Sequence, residues 1–261
     1  NDPDVLAIRP PLENKHVQLL VTMYGITGQL LFLGDIIYEL AEDRIDMVKR
    51  IMPVENVFPG QIPFSDPEKY PIESSAPWAN DDIKDLWFLH INKPYENWTV
   101  AALINLNDTG IKHIAIDAEK TGLDADASYH IYDYWNDKYL GIFSKNISFD
   151  IPSQSCQLLC IRKVQTNPQI ISINRHITQD SISLQDVKWN ADSNTLTGIS
   201  YITGDDDYII TIYLPDSYKV TSVESDEGQI EYVQTSNKIA KVQFRHHENI
   251  LVNWKVKMNN N

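Results

Sequence analysis

Apolar residues recur at helical spacing near the start of the chain. Val17, Leu20 and Val21 fall on one face of a helix, and Tyr24 extends that face by one turn. The four residues 30–33 are all apolar, which is typical of a strand buried on both faces in a parallel sheet. The pattern predicts a helix over 13–27, a strand over 30–33, a helical turn over 36–40 and a helix over 42–51, which Pro53 ends. This alternation of helices and strand is typical of a βα barrel.

Residues 54–82 have almost no hydrophobic periodicity. Prolines stand at positions 59, 63, 67, 71 and 77, and aromatic residues stand at 58, 64, 70 and 78. A free linker is poor in aromatic residues, so this composition predicts a segment that wraps across a surface.

From residue 83 the pattern changes to short strands separated by turns. The first series is predicted at 86–92, 99–106, 112–117, 129–134, 138–143, 147–151 and 157–162, with a hairpin turn at 107–110 between its second and third strands. The second series is predicted at 181–189, 195–202, 208–214, 220–225, 230–234, 239–244 and 250–257. Regular spacing of this kind is typical of antiparallel β-sandwiches. We therefore expect an α+β chain that is mainly β, with one sandwich over 83–166 and another over 167–261.

Composition narrows the classes of partner. The chain has 36 acidic and 22 basic residues, a formal net charge of −14, which argues against a nucleic-acid partner. No apolar run approaches the ~18 residues of a membrane-spanning helix. Cys156 and Cys160 lie on one predicted strand, about 13 Å apart, too far for a disulfide. No motif for a metal or a cofactor is present.

Candidate chemistry begins with the carboxylates of Asp2, Asp4 and Asp35. Asp2 and Asp4 flank a proline at a predicted strand end, and Asp35 follows the all-apolar strand. In a βα barrel the carboxyl ends of the strands form one rim, where active sites are built. Paired carboxylates suit sugar hydroxyls, metals or acid–base chemistry. The alternative is that these residues only form turns and helix caps.

Two further groups have competing interpretations. The acidic run 204–207, with acids at 224, 226 and 227, is either a calcium site or a solvated hairpin turn. Four aromatic residues of the second series could stack on sugars or pack in a core. They are Trp189, Tyr201, Tyr213 and Tyr218.

The opening run Asn1-Asp2-Pro3-Asp4-Val5-Leu6 resembles the Trp-Asn-Asp-Pro-Asp-Met/Cys-Leu signature of the α-galactosidase (melibiase) clan of retaining glycoside hydrolases. The resemblance continues through the helix, the strand ending at Asp35 and the helix ending at Pro53. It implies that residues 1–53 are the end of a (β/α)8 catalytic barrel and that an antiparallel β-domain follows. Val5 departs from the family pattern, which has Met or Cys there.

The resemblance also implies residue roles. Asp4 matches an aspartate that contacts the bound sugar, and Asp2 matches one that supports the loop. The family's nucleophile and acid/base lie on earlier barrel strands, so we assign no catalytic residue to this chain and expect it to be inactive alone. Retaining hydrolysis needs two carboxyl groups about 5–5.5 Å apart.

The resulting hypothesis is the C-terminal part of an α-galactosidase-like glycosidase that acts on a carbohydrate substrate, without cofactor, nucleic acid or membrane span. We expect residues 12–52 to be covered by an upstream barrel of the same polypeptide or by a second copy of the chain. A glycan-degrading enzyme of this kind favours a periplasmic or secreted location. The alternative is a non-catalytic carbohydrate-binding or structural β-module.

Overall fold

A computed structural model describes residues 5–28, 31–54, 85–179 and 181–260. Its first elements form a small βαβ unit. Strands β1 (Val5–Leu6) and β2 (Phe32–Leu33) pair in parallel, with Val5 opposite Phe32, and helix α1 (Asn14–Thr27) connects them. A 3-10 turn (Ile37–Glu39) and helix α2 (Glu42–Lys49) follow. The predicted order is confirmed, but the described part of the chain shows a two-stranded sheet and no barrel.

The expectation that residues 30–33 are buried on both faces is wrong for Phe32, whose exposed fraction is 51%. The reason lies in the pairing: among the described residues, β2 has only β1 beside it. An apolar strand is buried on both faces only when neighbouring strands and helices cover it. Leu30, the first residue of the predicted strand, lies outside the described residues. Residues 55–84 are also not described, and they include nearly all of the predicted wrapping segment.

The first antiparallel unit contains seven strands. They are β3 (Leu86–Asn92), β4 (Asn97–Asn105), β5 (Lys112–Asp117), β6 (Ser128–Asp133), β7 (Lys138–Ser144), β8 (Asn146–Ile151) and β9 (Ser155–Lys163). One sheet has the order β3-β4-β9-β6-β7, and β5 and β8 form a second, two-stranded sheet. Ile114, Ile116 and Phe143 are among the residues buried between the two sheets.

The predicted hairpin at 107–110 is wrong. Strand β4 pairs with β3 and β9, whereas β5 pairs with β8, so the turn carries the chain from one sheet to the other. A turn sequence reports a local reversal of direction but not the partner of the strand that follows. Here β5 pairs with β8, and its Ile114 and Ile116 are buried against the larger sheet.

The second antiparallel unit is a sandwich of two four-stranded sheets. Its strands are β10 (Gln169–Ile173), β11 (Leu184–Asn190), β12 (Thr195–Ile202), β13 (Tyr208–Tyr213), β14 (Tyr218–Ser225), β15 (Gln229–Gln234), β16 (Ile239–Arg245) and β17 (Ile250–Asn260). The sheet orders are β10-β13-β16-β15 and β11-β12-β17-β14. The predicted alternation in β13 is confirmed, because Tyr208, Ile210 and Ile212 are all buried. Strand β10 was not predicted, because its run of isoleucines is short and does not alternate.

Gly198 is required by the packing of this sandwich. It lies opposite Trp254 in the β12–β17 register, and a Cβ at this position would lie 2.1 Å from the indole ring. The bare backbone therefore leaves room for the ring, whose Nε1 donates to Ser200 Oγ at 2.9 Å.

A third core joins α1 to both antiparallel units. Val17 and Val21 of α1 are completely buried, against a cluster that includes Leu158 of β9 and Ile177 and Tyr213 from the second unit. Trp135 Nε1 donates to Thr22 Oγ1 of α1 at 2.8 Å. The expectation that residues 12–52 need a cover from outside the chain is therefore wrong for α1, since the five-stranded sheet covers it.

The unit boundaries that the sequence predicts at residues 53, 82 and 166 stay predictions. No helix in the described parts of the chain is long and apolar enough to cross a membrane.

Candidate functional site

The candidate site lies where β1 and β2 end. Because the two strands are parallel, their carboxyl ends share one edge, which brings Ile8 and Arg9 beside Gly34 and Asp35. The Asp35 carboxylate accepts the backbone N–H of Ile8 at 2.5 Å and Arg9 Nη1 at 2.6 Å. The Gly34 N–H donates to Leu6 O at 3.0 Å. Asp35 thus ties the segments after the two strands together.

The electrostatics of this edge keep Asp35 ionised. Its side chain is only 3% exposed, and burial by itself raises the pKa of a carboxyl group. The hydrogen bond from the Ile8 N–H and the positive charge of Arg9 outweigh that effect, so the pKa of Asp35 is lower than its ordinary value. Each oxygen already accepts one hydrogen bond and retains a further lone pair. The assignment of Asp35 to sugar binding stays a prediction.

Asp2 and Asp4 lie outside the described residues. The sequence predicts them at the end of a strand, whereas the described strand β1 begins at Val5, directly after them. Their roles, and the sharing of one rim with Asp35, stay predictions.

Behind the edge lies an apolar cavity of about 220 Å³. Its walls come from the segment after β1, from β2, from the 3-10 turn and from α2 and the residues that follow it, and they include Ile8, Leu33, Ile37, Val48 and Met52. Several large apolar side chains around it are exposed, with Tyr38 86% exposed and Ile36 52%. This concentration of uncovered apolar surface marks a face that fits another polypeptide element.

The acidic run at 205–207 is a network of ion pairs. Arg245 contacts both oxygens of Asp207, at 2.7 and 3.3 Å, and holds the pKa of that carboxyl group below its ordinary value. Asp206 lies 3.4 Å from Arg50, and Asp205 lies 3.0 Å from His247. No group of three or more His, Cys, Asp or Glu within the described ranges could hold a metal ion. The arrangement favours an ion-paired turn over the calcium site, but the predicted hairpin is wrong, because this turn joins β12 to β13 and the two strands belong to different sheets.

The four aromatic residues do not form one platform. Trp189 and Tyr218 meet edge to face, with ring centroids 5.6 Å apart, against the second sandwich core. Tyr213 is buried in the third core, and only Tyr201 is substantially exposed, at 42%. Core packing therefore explains three of the four.

Both cysteines are free thiols, as their spacing on β9 predicts. Burial raises the pKa of Cys156 to about 12 and that of Cys160 to about 11. Because the thiolate is the reactive form, these cysteines are inert at neutral pH.

Sequence reasoning missed the polar groups at the junction of the two antiparallel units. Arg162, with no exposed surface, pairs with Glu96 at 2.6 Å, and its guanidinium lies 4.2 Å from the centre of the Trp98 ring. His130 and His176 are each 1% exposed. Their sequence surroundings are ordinary strand and loop residues, so only the packing identifies them.

No family model matches the chain, and no curated protein matches it. Solved structures with some similarity include α-galactosidase I from Mortierella vinacea, with 16% identity and a TM-score of 0.41, covering 59% of this chain and 38% of that one. A β-L-arabinopyranosidase from Geobacillus stearothermophilus gives 9% identity and a TM-score of 0.41, covering 61% of this chain and 33% of its own.

The isomalto-dextranase of Arthrobacter globiformis T6, complexed with panose, gives 11% identity and a TM-score of 0.43, covering 98% of this chain and 48% of that one. The chain thus spans between a third and a half of the length of these glycosidases.

Proposed function

We propose that this chain is the C-terminal part of a retaining glycoside hydrolase similar to α-galactosidases. Asp4 contacts the sugar, Asp2 supports its loop and Asp35 belongs to the same sugar-binding edge. The antiparallel units are accessory domains, and the two catalytic carboxylates come from polypeptide outside residues 1–261. The observation that carries the proposal is the parallel β1–α1–β2 unit, which directly follows the Asp-Pro-Asp signature.

The surface around this unit supports the proposal. A two-stranded parallel sheet has open edges on both sides, and proteins normally cover such edges. The apolar cavity and the exposed Phe32, Ile36 and Tyr38 lie on this part of the chain. Further strands and helices of a barrel would bury them, and each large side chain so buried contributes about 1.5–3 kcal/mol.

The test has two arms. The purified 261-residue chain releases no chromophore from an aryl α-galactoside, and activity requires the upstream polypeptide. In that longer protein, Asp4→Ala weakens galactose binding by about 1.5–3 kcal/mol, the scale of a charged hydrogen bond and about 10- to 150-fold in Kd. Asp126→Ala, at an exposed turn, is the matched control and leaves binding unchanged.

Either of two results contradicts the proposal. One is turnover by the isolated chain that disappears in Asp4→Ala. The other is an unchanged galactose affinity of Asp4→Ala in the longer protein.

A second candidate function is a non-catalytic carbohydrate-binding or structural β-module. The observation that favours it is the third core, because α1 is buried against the chain's own five-stranded sheet. Under this alternative, the isolated chain is a stable monomer by light scattering. Retention of that monomer on an immobilised polysaccharide separates a binding module from a purely structural one.

A further inference from the structure

The two antiparallel units meet at a buried aromatic contact formed by His130, Tyr139 and Tyr213, here called the His130 contact. His130 of β6 and Tyr139 of β7 come from the first unit, and Tyr213 of β13 comes from the second. The His130 ring centre lies 4.3 Å from that of Tyr213 and 5.8 Å from that of Tyr139. Its Nδ1 lies 2.8 Å from the Tyr139 hydroxyl. The imidazole is therefore enclosed by the two units.

The second ring nitrogen of His130 has no partner. Its Nε2 is buried and has no hydrogen bond to any described residue. The nearby Gln169 side chain forms its hydrogen bonds elsewhere, since its Oε1 accepts from the Gln165 N–H and its Nε2 donates to Lys163 O, and neither atom is hydrogen-bonded to His130 Nε2. A protonated imidazole has two N–H donors and needs two acceptors. The His130 contact provides only the Tyr139 oxygen.

The charges that face His130 do not favour a cation. Arg162 stands opposite His130 in the β6–β9 register, and its positive charge is matched by Glu96. The other titratable groups on the ring are the phenols of Tyr139 and Tyr213, and burial raises the pKa of Tyr139. No carboxylate of the described residues is hydrogen-bonded to the ring. Burial lowers the pKa of His130 to about 4, and the Gln169 side chain offsets this only in part.

We propose that the His130 contact is an acid-responsive joint between the two antiparallel units: protonation of the ring opens the contact with β13 while each unit keeps its own core. A protonated His130 ring in the closed contact would leave a charged N–H buried without a hydrogen-bond acceptor. When the contact opens, water accepts that hydrogen bond. The two tyrosines of the contact pack in the third core and not in the cores inside the two units, so those two cores do not depend on the contact. This proposal does not depend on the proposed glycoside hydrolase function.

Hydroxyl-radical footprinting of the complete chain, read by mass spectrometry at pH 7 and pH 4, tests the proposal. Tyr213 is 8% exposed at the contact, Tyr208 is 1% exposed in the second core, and Tyr201 is exposed and serves as the reference. Relative to Tyr201, oxidation of Tyr213 rises at least threefold at pH 4, while that of Tyr208 does not change. His130→Phe keeps an aromatic ring without a titrating nitrogen, so the rise disappears. His113→Phe, at an exposed histidine of β5, behaves like the wild type.

A rise of the same size in His130→Phe overturns the proposal, as does a simultaneous rise at Tyr208, which would mean general unfolding. A second measurement needs no variant. In a ¹⁵N-histidine NMR titration of the wild type, the His130 ring titrates with the same midpoint as the oxidation of Tyr213. Titration of the ring without any change at Tyr213 also overturns the proposal.

Discussion

Helix α1 and the β1–β2 pair come from the same stretch of sequence but have opposite surroundings. Val17 and Val21 of α1 have no exposed surface, whereas Val5 and Phe32 of the strand pair are about half exposed. Both segments contain large apolar residues. The five-stranded sheet offers α1 an apolar face, whereas the strand pair buries only the face that carries Leu6, and no described element covers the face that carries Val5 and Phe32. The stability of α1 is therefore internal to the chain, while burial of the β1–β2 face requires something else.

The largest expected effect comes from placing a charge in each region. Val21→Asp buries a carboxylate without a partner and should cost more than about 4 kcal/mol, a large part of a domain's stability. Phe32→Asp changes a half-exposed position and should change the unfolding free energy of the isolated chain by about 0.5 kcal/mol or less. Urea unfolding followed by tryptophan fluorescence measures both. Equal losses of unfolding free energy in the two variants would contradict the difference in burial between the two regions.

The second prediction concerns pH. Burial is the main reason that the pKa of His176 is lowered to about 4, with the backbone of Ile51 and Pro53 opposing it in part. Because the unfolded chain binds this proton near pH 6.5, stability is complete above that pH and falls as the pH drops from 6.5 towards 4. The loss is at most about 3 kcal/mol for this group. His130 also lowers stability as the pH falls, because burial lowers its pKa to about 4 as well.

The strand pair should respond in a different pH window. The pKa of Asp35 is lowered, so its contribution is present above the ordinary carboxyl value of about 3.9 and is lost only below it. Urea midpoints at pH 7, 5.5 and 4.5 lie above the Asp35 window, and His176→Gln should reduce the slope of stability against pH between them. His113→Gln, at an exposed position, is the control, and a slope that His176→Gln leaves unchanged would contradict the assignment.

The smallest expected effect compares two glycines. A Cβ on Gly25 of α1 would lie 2.3 Å from Ile177 Cδ1 and 2.4 Å from Ile51 Cγ2, both of which are fully buried. Overpacking costs about 1–3 kcal/mol, and the better helix propensity of alanine returns about 1. Gly25→Ala should therefore lower stability by up to about 2 kcal/mol. Stabilisation by this substitution would show that the α1 interface is loosely packed.

Gly34→Ala is the matched variant at the strand pair. Its Cβ would lie 2.2 Å from Cγ1 of Val5, but that side chain is half exposed and can rotate away. The expected change in unfolding free energy is about 0.5 kcal/mol or less. A larger loss would mean that the strand pair is more tightly held than its exposure indicates.

The sequence predicted elements well where one face is apolar and the other polar. The alternation in β13 and the helical spacing of Val17 and Val21 were both confirmed, because a side chain's face follows directly from its position along a strand or helix. Pairing was harder. The turn at 107–110 gave the wrong partner for β5, because turn residues encode a reversal and not the sheet that receives the next strand. Of the candidate site, only Asp35 could be placed.

What the sequence determined by itself was the order of its elements, a mainly β chain and two series of strands, since these depend on local periodicity. Only the tertiary structure decided that α1 lies on the five-stranded sheet, that the fully buried Arg162 pairs with Glu96, and that His130 lies between two tyrosines. These contacts join separate elements, with 9 positions between His130 and Tyr139, 66 between Glu96 and Arg162, and 113 between Thr22 of α1 and Trp135. No local pattern encodes them, because the free energy of burying a side chain depends on the surface that the rest of the chain brings to it.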